Sequence, residues 1–74
     1  MSVQKAFNKQ AIEMVPLLAV EIELAPAFEA NQMYCYTLRK IMDSSKCLTD
    51  MTAEELVSFQ DGIYQSFKHK QWIS

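Results

Sequence analysis

The sequence predicts a small all-α fold, a three-helix bundle, and three observations carry that prediction. Apolar residues recur at helical spacing along most of the chain. One glycine and two prolines are too few turn residues for an all-β fold of many short strands. A helix-start signature, Thr52-Ala53-Glu54-Glu55, stands directly before a regular apolar stripe. With 74 residues the chain makes one domain, spanning 1–74. Apolar residues are 50% and charged residues 22%, too hydrophobic a balance for intrinsic disorder.

The first helix is expected near residues 2–24. Val3, Phe7, Ala11, Met14, Leu17, Leu18 and Ile22 fall at helical spacing, and Ser2 is placed to cap the first turn. Pro16 interrupts the pattern, because it removes a backbone donor and crowds the preceding turn, so a kink or restart is expected there. Residues 17–25 carry a competing signal. Val20-Glu21-Ile22-Glu23-Leu24 alternates apolar and acidic residues with the period of a half-buried strand. No second strand follows, so helix is the stronger reading, with a short strand paired across a dimer as the alternative.

The second helix is expected over 27–44. Pro26 suits its first position, and Ala30, Tyr34, Leu38 and Ile41 form a stripe that Cys35 and Met42 widen. Residues 44–50 read as a loop. The third helix is expected over 52–70: Thr52 and Glu55 make a capping box, Met51 and Leu56 flank it, and Leu56, Phe59, Ile63 and Phe67 form the buried stripe. Asp61-Gly62 is a competing hairpin signal that the stripe outweighs, and a glycine inside a helix suggests close helix packing.

Seven basic against nine acidic residues give a net charge of −2, which disfavours direct nucleic-acid binding. The longest apolar run, 14–20, is far short of a membrane span, and the start lacks the apolar run of a signal peptide. Two cysteines, Cys35 and Cys47, without a CxxC are expected as free thiols in a reducing cytoplasm.

The chain offers little chemistry. His69 sits between Lys68 and Lys70 with no nucleophile to activate, and reads as a solvated residue at a helix end. Cys35 reads as ordinary packing on the apolar side of its helix, an environment that does not make a reactive thiolate. Glu13, Glu21, Glu23 and Glu29 form an acidic stretch with no histidine to complete a metal set. Glycine-rich phosphate loops and hydrolase motifs are absent. The expectation is therefore no enzyme, no cofactor and no metal.

What exceeds an ordinary small domain is the apolar supply. Eight aromatic residues cannot all be buried in so small a bundle, and an exposed apolar patch marks an interaction site. Tyr36, Tyr64 and Trp72 fall off the core stripes and are the candidate anchors, with Glu21, Glu23 and Glu29 steering toward a basic groove on a protein partner. The expected function is a non-catalytic protein-binding module, a small acidic regulator or inhibitor of a larger enzyme or complex. A viral or mobile-element antagonist of host defence fits that profile as a class. A homodimer is the expected assembly. The alternatives are a structural subunit of a helical homo-oligomer, and a sponge for small anions held by Arg39, Lys40, Lys68 or Lys70.

Overall fold

A computed structural model describes residues 10–73, and among these it is all helix, turn and loop with no strand. Residues 10–13 are helical, followed by α1 (Pro16–Leu24), α2 (Ala27–Asp43), a 3₁₀ turn (Leu48–Asp50) and α3 (Ala53–His69). Each pair among α1, α2 and α3 is in contact. The expected helix start and the Ser2 cap lie in residues 1–9, outside the described part.

Pro16 restarts the helix, as its chemistry requires. The preceding helix closes with Met14 and Val15 donating to the carbonyls of Ala11 and Ile12, and Pro16 becomes the first residue of α1. Residues 17–25 are not a strand: α1 takes in all but Ala25 of them. Alternation loses because a strand here has no neighbour to complete its ladder, whereas a helix closes its own hydrogen bonds and puts Leu18 and Ile22 against the core.

The start of α1 has no local cap, since Val15 carries no acceptor side chain. Every free donor is nonetheless accounted for. Pro16 has no N–H, Leu18 and Ala19 both donate to the Val15 carbonyl at 3.0 Å, and the Leu17 N–H donates to Gln60 Oε1 at 3.0 Å. Gln60 is a buried residue of α3, 43 positions away, and its Nε2 donates to the Leu56 carbonyl at 3.2 Å. A side chain of one helix thus performs on another the task of an N-cap.

Pro26 is the N-cap of α2 rather than its first helical residue, and its carbonyl accepts from Ala30 at 2.7 Å. The buried line of α2 is Met33 and Thr37, with Ala30, Tyr34, Leu38 and Ile41 only half-buried on its flanks. Thr37 reaches the core by donating its hydroxyl to the Met33 carbonyl at 2.8 Å, which removes the cost of an unpaired buried hydroxyl. Cys35 lies outside this line and is exposed, as is Met42. The loop after α2 is not wholly open either: Leu48, in the 3₁₀ turn, joins Val15, Leu18, Met33, Ile63 and Phe67 in the core cluster.

α3 begins as its sequence dictates. Thr52 Oγ1 accepts from the Glu55 N–H at 3.2 Å, and Glu55 Oε1 accepts from the Thr52 N–H at 2.8 Å. Lys46 adds an exposed ion pair to Glu55 at 3.0 Å. Gly62 meets nothing within 4 Å of where a Cβ would stand, so it marks no close helix approach. The end of α3 is a Schellman turn. Gln71 takes the left-handed conformation at φ 63°, its N–H donates to the Lys68 carbonyl, and the Trp72 N–H donates to the Phe67 carbonyl, both at 3.0 Å. The turn folds Trp72 and Ile73 back onto the core.

Two predictions follow from these caps. Gln60→Leu keeps bulk but orphans the Leu17 N–H, and lowers unfolding stability by about 1–3 kcal/mol in urea titration, whereas Gln65→Leu on the exposed face changes it by less than about 0.5 kcal/mol. The hydrogen bond from the Thr52 amide, reinforced by Lys46, holds the Glu55 carboxyl below its usual range. Stability from this lowered pKa is present above the ordinary glutamate value and is lost as pH falls through the lowered one. The urea midpoints of wild type and Glu55→Gln therefore differ near about pH 7 and converge toward about pH 3.

Candidate functional site

The sequence of α1, Pro-Leu-Leu-Ala-Val-Glu-Ile-Glu-Leu, is apolar at seven of nine positions and has no polar face. A helix that is apolar all round is normally enclosed. Here only Leu18 is fully buried, with Ile22 packed on the core beside it. Leu17, Val20 and Leu24 follow one another three and four residues apart, so they form one outward stripe, and Leu24 is 77% exposed. Helical geometry places Glu21 along one side of this stripe and Glu23 along the other.

The stripe continues onto α3. Leu17, Glu21, Val57, Gln60, Asp61 and Tyr64 line a shallow groove of about 260 Å³ between the two helices. Ala53, Glu54, Val57, Ser58 and Asp61 line the adjoining hollow. Its floor is aliphatic and aromatic, and its charged walls are Glu21, Glu54 and Asp61. Phe28, 72% exposed on the first turn of α2, adds a bare ring four residues on from Leu24.

The six residues singled out from the sequence do not form one site. Glu21 and Tyr64 meet in the α1–α3 groove, Glu23 is exposed on the outer side of α1, and Glu29 is half-buried in the first turn of α2. Tyr36 and Trp72 lie together elsewhere, half-buried around Phe67. Ring centroids are 5.8 Å apart for Tyr36–Trp72, 6.2 Å for Tyr36–Phe67 and 5.9 Å for Phe67–Trp72, edge-on or tilted as ring quadrupoles favour. Lys40 and Lys70 each stand 5.4 Å from the Tyr36 ring, with Lys70 also 5.5 Å from Trp72. Arg39 lines the hollow beside them. Acidic and basic surfaces therefore gather around different pairs of helices.

The residues that sequence reasoning missed are Leu17, Val20, Leu24, Phe28 and Val57. The signal for Leu17, Val20 and Leu24 was present: a helix with no polar face can hide only the side that touches its neighbours. Val57 directly follows Leu56 of the α3 stripe, and its exposure depends on how closely α1 lies.

A further hollow of about 380 Å³ lies between the end of the first helical segment and the α2–α3 loop, walled by Met14, Ile41, Met42 and Leu48. Two of its polar side chains are already engaged. Ser44 Oγ donates to the Lys46 carbonyl at 2.8 Å, and Lys46 Nζ is paired with Glu55. Among the described residues no group of three or more His, Cys, Asp or Glu side chains is placed to hold a metal ion, and no helix is long and apolar enough to cross a membrane. Comparison with protein-family models, curated proteins and solved structures found no match for this chain.

The two aromatic surfaces separate by their effect on stability. Trp72→Ala removes packing on Phe67 and Tyr36 and lowers unfolding stability by about 1–3 kcal/mol, because part of the ring is solvated in the native state. Phe28→Ala leaves stability within about 0.5 kcal/mol. Chemical denaturation of the two variants checks both values.

Proposed function

We propose that the chain is a non-catalytic protein-binding module, a small acidic regulator that docks the outer face of α1 on a larger protein. One observation carries the reading: α1 is apolar on all sides, yet its stripe of Leu17, Val20 and Leu24 faces solvent. Contiguous exposed apolar surface is costly to a solitary small domain and is the usual mark of an interface. The sequence had pointed to Tyr36, Tyr64 and Trp72 as anchors. Tyr64 retains that role beside Leu17 and Val57, while Tyr36 and Trp72 serve the core first and offer at most their outer edges.

A regulator of this kind works by covering a surface that its partner needs, which requires a rigid, well-placed face rather than a reactive group. The face has the features of such an interface: large aliphatic anchors near its centre and carboxylates at its border. The acidic border favours encounter with a positively charged surface and speeds association at low salt.

Affinity capture from host lysate tests the reading with three baits: wild type, Leu24→Asp/Phe28→Asp, and Met42→Asp as an exposed control away from α1. A protein held stoichiometrically by wild type and Met42→Asp, and lost from the double variant while its circular dichroism stays helical, supports it. Equal capture by all three baits overturns it.

A further inference from the structure

Resting on the protein-binding reading, we propose that the groove between α1 and α3 receives an amphipathic helix of the partner, with apolar residues flanked by lysine or arginine. Three features converge on that occupant.

The first is shape. Two helices bound the groove: Leu17 lines it from α1, with Val20 and Leu24 continuing the exposed stripe beyond it at helical spacing, and Val57 and Tyr64 line it from one face of α3. No strand among the described residues offers an edge for strand addition. A helix laid in the groove with anchors every three or four residues matches this surface.

The second is charge. Glu21, Glu54 and Asp61 line the groove and the hollow beside it, and among the described residues no lysine or arginine lines either. None of the three is in an ion pair among the described residues. Among the described residues, Lys46 is held by Glu55, and Lys40 and Lys70 stand over Tyr36, while Lys68 lies 5.9 Å from the Tyr64 ring at one end of the groove.

The third is placement against the fold's own interest. Glu21 and Glu23 occupy the last turn of α1, which has no basic residue, and there the partial negative charge of the helix dipole opposes them. Carboxylates kept where they weaken their own helix are explained by what they meet outside it. A second copy of the chain is the poorer occupant. A two-fold contact through this face lays an acidic border against itself.

Fluorescence anisotropy tests the proposal with two labelled helical peptides of about 16 residues. One carries leucines at i, i+3 and i+7 with lysines on both flanks, and the other replaces every lysine with glutamate. The lysine peptide is expected to bind at least about tenfold more tightly. The preference should shrink on raising salt to about 0.5 M. Glu21→Gln/Asp61→Asn should weaken the lysine peptide several-fold with a thermal midpoint no lower than that of wild type, and Val57→Asp should abolish its binding.

Equal affinity for both peptides overturns the proposal, as does failure of the lysine peptide to bind. Concentration-dependent dimerisation in sedimentation velocity that Leu24→Asp abolishes also overturns it, assigning the face to a second copy. If the peptides fail while lysate capture still depends on Leu24 and Phe28, the basic helix is wrong and the binding module stands. If both fail, the module itself falls.

Discussion

The hydrogen bond from the Leu17 amide to Gln60 holds the placement of α1. After Pro16 the chain must start a helix with no capping side chain of its own, and Val15 can satisfy only the third and fourth positions through its carbonyl. The remaining donor is met from α3, and the same amide group bonds back to the Leu56 carbonyl, so the glutamine is fixed at both ends. A buried polar group in this position is costly if misplaced and specifying if satisfied. It ties the start of α1 to the middle of α3 and thereby decides which side of an all-apolar helix is left outside.

Burial is the scarce resource in a domain of this size, and it is distributed unevenly. The C-terminal residues, which a free tail would waste, are turned back by the Schellman geometry at Gln71 so that Trp72 meets Phe67 and Tyr36. Leu48 is drawn in from the loop. With those places taken, α1 contributes little beyond Leu18 and Ile22, and its remaining large side chains stay in water. The surplus of apolar residues evident in the composition is real, but it surfaces on α1 and the start of α2 rather than at the aromatic C-terminus.

Charge follows the same division. Carboxylates border the α1–α3 groove, while Arg39, Lys40 and Lys70 crowd the outer edges of Tyr36 and Trp72. A net charge of only −2 conceals this separation. A surface with aliphatic anchors and a predominantly acidic border discriminates between partners more sharply than either property alone, since a partner of the wrong sign must desolvate like charges against each other.

Much of the architecture was legible in the chain because it is written in local chemistry. The capping box at Thr52 and Glu55, the stripe from Leu56 to Phe67, the restart at Pro16 and the break at Pro26 each act over a few residues, and so could be read without knowing the neighbours. Local alternation at 20–24 offered a strand as the alternative to the helix that forms, because a strand's viability depends on a partner elsewhere in the chain. The stripe of α2 was read slightly off its true line, through Tyr34 and Cys35 rather than Met33 and Thr37, because Thr37 becomes a core residue only once its hydroxyl finds the Met33 carbonyl. What the tertiary structure alone decided is which apolar residues stay exposed. Periodicity says that a residue shares a face with others, but only the docking of α1 against Gln60, and of Trp72 against Phe67, determines which face has a neighbour to cover it.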